Sequence, residues 1–495
     1  MTRSPGRGLG PAGNTPGAGA PVQVFEPPSP PEPHWQALSG PPAAYANGMW
    51  LMQGGHVLVN TTGTTELYSL APDASGSYAN LASTKVGNFL AVKFQFAAGV
   101  LSDGRLVTCG GEHTGPTGQG PGDTNFCEIY DPITGTAKHF TQPSGWSHIG
   151  DSPSVFRPDG TFMLGNAVGF GTQVALLDAK TLTWSFGQGD QANEQGYVLL
   201  QTGDVLTVNP DTQVVKRYSS SANAFQVDAA LPTPLGRKGE IGPGVTLLDG
   251  RVIWFGATAN TCIYVPNLNG ENGQWVQGPS LPVGSDGTQW CASDVPALLL
   301  PNGRVLVLLR ALDGSGTAFG QFDPALNSCT LLTKAPADTG GTANMLLLPS
   351  GEALVSCWNG KWYLVSCHYL PDFWIDPTLS SYPATASRNS TITVSGYQLC
   401  GLSECSSFGD DIQQAENYPL VRLMSADGST VRYCRTHDVS TRSIARGQFS
   451  TVQVDIPGDL VPDSYYIQAV AMGRGSSTWR RAASGEPEST IIQIT

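Results

Sequence analysis

The sequence predicts an all-β chain, a seven-bladed β-propeller followed by a β-sandwich, and three observations predict it. Glycine (60) and proline (37) are abundant among 495 residues and only 13% are charged, a mix that suits many short strands joined by tight turns. An apolar strand, a glycine turn and a second apolar strand recur seven times. Beyond residue 374 the recurrence stops and short alternating strands take over.

In chain order, residues 1–34 are a Pro/Gly-rich arm ending in Pro27-Pro-Ser-Pro-Pro-Glu-Pro33, too poor in apolar side chains to build a core. Residues 35–373 carry the repeat. Its turn glycines are Gly55, Gly104, Gly160, Gly203, Gly250, Gly303 and Gly351, spaced by 43 to 56 residues. A period near 50 is that of kelch-type blades of four strands. The Asp-Gly and Asn-Gly pairs suit the positive φ of type I′ hairpins. Continuous apolar runs such as Leu298-Leu-Leu300 fit strands buried on both faces. The seventh unit reads as three strands, and Trp35-Gln-Ala-Leu-Ser39 is the expected fourth, closing the ring and leaving no open edge. Residues 374–495, with runs such as Ser390-Thr-Ile-Thr-Val-Ser395 and Ser450-Thr-Val-Gln-Val-Asp455, predict an immunoglobulin-like sandwich.

Tyr418-Pro-Leu-Val-Arg-Leu, Thr436-His437-Asp438 and Val452-Gln-Val-Asp-Ile-Pro457, following such a repeat array, resemble the galactose oxidase and glyoxal oxidase family. The resemblance covers Trp35 to Thr495. It implies a copper on the propeller axis, held by two tyrosines and two histidines, with one tyrosine cross-linked to a cysteine. His437 takes the place of the histidine contributed by the C-terminal domain. At the other matching positions stand Ser293-Asp294 for the Tyr-His pair, Phe94-Gln95-Phe96 for the cross-linked tyrosine, and Ala44-Tyr45-Ala46 for the cysteine. Copper, and with it the oxidase activity, is therefore not expected.

The residues at the inner ends of the blades are acidic instead: Asp151, Glu194, Glu240 and Asp294, joined by Gln95, His148 and the His437-Asp438 pair. Converging carboxylates repel one another and need a cation, a cationic ligand or raised pKa values. One expectation is a divalent cation on the axis with His437, Asp294 and Asp151 as ligands. The other is hydrogen bonding to backbone amides and to Lys93, Arg237, Lys238 or Arg442. Trp146, Trp290, Tyr45 and Trp358 offer faces on which a sugar could stack. The function expected is a non-catalytic module for binding, adhesion or assembly, with a protein or glycan partner. The alternative is an enzyme with altered axial chemistry.

A net charge of −13 with no Lys/Arg run argues against nucleic acid as a partner. No apolar run is long enough for a membrane span, and the N-terminus shows no apolar signal core. The resemblance implies an extracellular or surface location. Ten cysteines lack any zinc-type spacing. Cys400 and Cys405 are close enough to staple a loop, and Cys357 and Cys367 could face each other across a hairpin.

Overall fold

The computed structural model describes residues 32–112, 122–168, 173–189, 194–408, 418–481 and 487–495. The arm at 1–31 lies outside them. Residues Pro33–Thr495 form one compact unit. Its secondary structure is β throughout, arranged as curled antiparallel sheets in a propeller-like array.

Each repeat is a four-stranded meander. The second, for example, runs through Ala97–Val100, Leu106–Cys109, Cys127–Asp131 and Thr136–Phe140. The third and fourth meanders are joined along their outer edges by one parallel pair, Gln188 with Ala224. The innermost strands are Ala46–Leu51, Ala97–Val100, Ser154–Phe156, Tyr197–Leu199, Gly244–Thr246, Ala297–Leu299 and Ala343–Leu347. Each touches the next, and the last touches the first, so the array is cyclic. These strands are buried along their whole length, which accounts for apolar runs without alternation. The ring closes through His34–Leu38, which pairs antiparallel with Trp362–Ser366 and sets Trp35 opposite Val365. The edge that the three-stranded seventh unit would expose is thereby covered.

The hairpin turns differ from the type I′ expectation. All seven turn glycines have positive φ, between 78° and 91°, but none of the Asp or Asn residues before them does. Each glycine N–H donates to the carbonyl three residues earlier, as Gly104 does to Leu101 at 2.9 Å. This is the longer hairpin loop with a single left-handed glycine. The preceding Asp or Asn serves through its side chain: Asp103, Asp159, Asp249 and Asn302 each accept from the N–H two residues on. A dipeptide selects the turn by more than one physical route, so Asp-Gly alone does not specify both φ angles.

The C-terminal segment forms a curled sheet in the order Thr378–Ser381, Thr391–Tyr397, Phe449–Asp455, Val431–His437, Leu420–Ser425, Ser464–Ala471, Ile491–Ile494, Thr385–Ala386. It encloses its own core, including Val394, Val421, Val454 and Ile467. The sheet docks on the hairpin-turn face of the ring. Arg442 is fully buried there, its guanidinium 3.7 Å from the Phe156 ring centre, and donates to the Val100 carbonyl. Arg474 pairs with Asp376 and donates to the carbonyls of Pro301 and Leu370. Both arginines donate to backbone carbonyls at or beyond strand ends, Arg442 to Val100 and Arg474 to Pro301 and Leu370.

A second connection fills the axis. From Cys400 to Phe408 the chain leaves the C-terminal sheet and enters between the inner strands. Ser403 donates to Thr246, the Leu199 N–H donates to Glu404, and the Leu299 N–H donates to Cys405. Ser406–Ser407 then pairs antiparallel with Ala297 and Leu298. The segment that penetrates the ring is therefore this one, not the strand that ends in His437.

Candidate functional site

The inner strands begin at one face of the ring, here called the mouth, and end at the hairpin turns on the other. Asp151, Glu194, Glu240 and Asp294 each lie three or four residues before an inner strand. The mouth therefore gathers them, as the sequence position implies. Backbone hydrogen bonds stitch neighbouring units at this level: Asp294 N–H to Ile241 O at 3.1 Å, and Ala292 N–H to Gly256 O at 2.8 Å. Gly111 N–H to Gly150 O, at 2.7 Å, does the same on the other side. Asp294, Gln95 and Lys238 hold positive φ of 45°, 45° and 59°, strained for residues with a Cβ.

The acids form one electrostatic cluster. Burial, then Glu194 and Glu112, push the Asp151 carboxyl up to about 8. Burial, then Asp294 and Glu194, push Glu240 up to about 7 against the opposing pull of Arg310. Glu194 is raised by burial and then by Glu112 and Asp294. Asp294 is raised by burial, with Arg310 opposing. Its Oδ2 lies 3.6 Å from the Arg310 guanidinium, while Oδ1 is buried without a hydrogen-bond partner among the described residues. Like charges in a partly dry site cannot all ionise, so protons are retained.

Sequence reading missed four members: Glu112, Asp123 and Asp211, which contribute to the field, and Arg310, which moderates it. They lie on loops and second strands, outside the repeating register. Glu112 is held by a two-way bridge to Phe94, its N–H donating at 3.0 Å.

Other expected members lie elsewhere. His437 ends the strand Val431–His437 and bonds Asp438 at 2.8 Å and Asp455 at 3.1 Å. The Asp438 N–H donates to Ser102, at the turn end of an inner strand. His437 and Asp438 are thus on the turn face, separated from the mouth by an inner strand at about 3.3 Å per residue. The three proposed ligands His437, Asp294 and Asp151 do not converge. Among the described residues no group of three or more His, Cys, Asp or Glu is placed to hold a metal. His148 is exposed at the mouth beside Ser147, with Nδ1 3.1 Å from its hydroxyl.

The expected basic partners are also engaged elsewhere. Lys93 is buried and ion-paired with Glu128 at 3.0 Å, among Phe89, Phe96 and Phe126. Arg442 is buried on the turn face; Arg237 is the exception and meets Glu240, through backbone bonds in both directions. The aromatic residues do not form one platform either. Trp146 is buried against Phe186, whereas Tyr45 packs on Trp358, whose surface is nearly half exposed.

Two comparisons with known proteins returned nothing: no family model and no curated protein matches the chain. Among solved structures the fold is similar to that of a fungal alcohol oxidase of the AA5 family, solved in complex with copper. The TM-score is 0.50 and the identity 14%, over 93% of this chain and 98% of that one. The expectation of a non-catalytic binding, adhesion or assembly module is corrected by this finding: the likeness is to an alcohol oxidase and gives a non-catalytic role no support. At this identity the likeness establishes a shared fold: the chain has the propeller-like all-β architecture of that galactose oxidase-like alcohol oxidase.

Proposed function

We propose that this chain is an enzyme that transfers protons at its acidic mouth, acting on a hydroxyl- or carbonyl-bearing small molecule. The observation that carries the reading is the carboxylate cluster, in which Asp151 and Glu240 are held at about 8 and about 7. Near neutral pH Asp151 keeps its proton and serves as general acid. Glu240 populates both forms and serves as the group that accepts and returns a proton. Asp294, fixed by Arg310 and by its strained backbone, adds to the field that raises Glu240 and Glu194. A cationic or hydroxyl-rich substrate relieves the repulsion among the acids, which favours its binding.

The same reading holds that the copper-radical ligands are missing. Ser293-Asp294 stand where the family has its Tyr-His pair, Phe94-Gln95-Phe96 where it has the cross-linked tyrosine and Ala44-Tyr45-Ala46 where it has the cysteine, and His437 is bonded to Asp438 and Asp455 instead. These donors do not fit a tyrosine-ligated copper, and no step is routed through one. We further propose that the cyclic meanders at 35–373 are seven propeller blades and that 374–495 is an immunoglobulin-like sandwich.

The test is a screen of isomerase and hydrolase activity on alcohols, aldehydes and sugars, repeated with Asp151→Asn and Glu240→Gln. Activity lost in both variants supports the assignment, and activity retained in both refutes it. A second reading, a copper alcohol oxidase, is favoured by the fold likeness. Peroxide release from alcohols after copper loading would support it over the first.

A further inference from the structure

Neither cysteine pairing suggested by sequence is supported by the geometry. Cys357 closes its hairpin onto Lys361, its N–H donating to that carbonyl at 2.8 Å, so Cys367 lies out of register with it. Cys400 bonds the Thr441 carbonyl, whereas Cys405 bonds the Ser403 carbonyl. All ten cysteines are free thiols in the structure, but a third pair is directly opposed: Cys109 faces Cys127 in the antiparallel ladder of Leu106–Cys109 and Cys127–Asp131.

We propose that Cys109 and Cys127 form a disulfide that staples the loop carrying Glu112 and Asp123. One position further on, the Gly110 N–H donates to the Phe126 carbonyl. Gly110 and Phe126 are thus a hydrogen-bonded pair, which makes Cys109–Cys127 a non-hydrogen-bonded pair. Such pairs bring Cα atoms to about 4.5 Å and side chains closest together, within the range that a disulfide spans. Both side chains are fully buried in one cluster with Val107, Ile129 and Phe140. The two thiols are within hydrogen-bonding reach of each other.

Glu112 on one side and Asp123 and Thr124 on the other lie at the mouth, where Thr124 N–H donates to Gly111 O at 2.9 Å. A covalent link between Cys109 and Cys127 fixes the backbone from which two of the acids project. The chemistry places the bond early in folding. Burial pushes the Cys109 thiol well up, so in the packed protein Cys109 is not available as a thiolate. While the sheet is still open, one thiolate attacks a low-molecular-weight disulfide such as oxidised glutathione, forming a mixed disulfide and releasing one glutathione thiolate. The second cysteine thiolate attacks the protein sulfur of that mixed disulfide and expels the other glutathione thiolate. The two cysteines lose two electrons and two protons in total, and the glutathione disulfide is reduced to two thiols. Once the core closes, the same burial shields the bond from reductants.

The inference rests on strand geometry and is independent of the acid–base reading. The full chain is unfolded, reduced, refolded with oxidised glutathione, and digested without reductant. We expect a peptide bearing Cys109 joined to one bearing Cys127, two hydrogens lighter than the pair. Protein refolded with reductant should melt lower by about 3 °C or more, a difference absent in Cys109→Ala and Cys127→Ala. Should either variant fail to fold, the peptide map of the unaltered chain decides alone. Full alkylation of both thiols after oxidative refolding, or a link from either to another cysteine, overturns the proposal.

Discussion

Replacing Asp151 by Asn should stabilise the protein, and more so as pH rises. The carboxyl ordinarily ionises at 3.8 and is held at about 8 in the folded chain. Between those values the unfolded chain has released the proton while the folded chain retains it. Stability contributed by this group is therefore full below about pH 4, falls as pH rises, and is lost once pH passes about 8. A tenfold step in proton affinity is about 1.4 kcal/mol, so the ceiling is about 6 kcal/mol. The side chain keeps a solvent-facing edge and its acidic neighbours share the field, and solvent screening lowers the expectation to about 2 kcal/mol. Asparagine keeps the shape without the charge. Urea unfolding at pH 5, 7 and 9 should show a gain for Asp151→Asn that grows across the series and levels off near pH 9. A gain of equal size at all three values would refute the reasoning, since it would report packing and not ionisation.

Four further outcomes are expected. Arg474→Met breaks the buried pair with Asp376 and leaves the carbonyls of Pro301 and Leu370 without a donor; a loss of about 3–5 kcal/mol should appear in denaturant unfolding. Ser403→Ala removes the hydroxyl that donates to Thr246 and accepts from the Cys405 N–H, lowering stability by about 1–2 kcal/mol in the same assay. His437→Ala, on the turn face, should leave any activity of the mouth unchanged within twofold, where Glu240→Gln abolishes it. Gly99→Ala drives a methyl to 2.3 Å from the Phe156 ring between two inner strands, and the melting temperature should fall by several degrees.

Local chemistry made much of the architecture readable. Seven glycines at a near-constant period place seven hairpins, because a left-handed turn residue between apolar runs has few other uses. Even the borrowed strand at His34–Leu38 follows from the missing fourth strand of the last unit. The turn type was less legible, because Asp can act through φ or through its carboxylate. The axial segment Cys400–Phe408 carried one signal that went unused: more than twenty residues separate the strands Thr391–Tyr397 and Leu420–Ser425, longer than a hairpin needs.

By itself the sequence determined the strands, the repeat and the acidity just before the units' first strands, because these depend on side-chain periodicity and on position within one unit. Only the tertiary structure decided which residues share a space. It set His437 against Asp455 and Asp438 against Ser102, brought Glu112, Asp123 and Arg310 into the field of Asp151 and Asp294, and opposed Cys109 to Cys127. Closing a ring of sheets fixes distances between residues that are remote along the chain, and no local pattern records them.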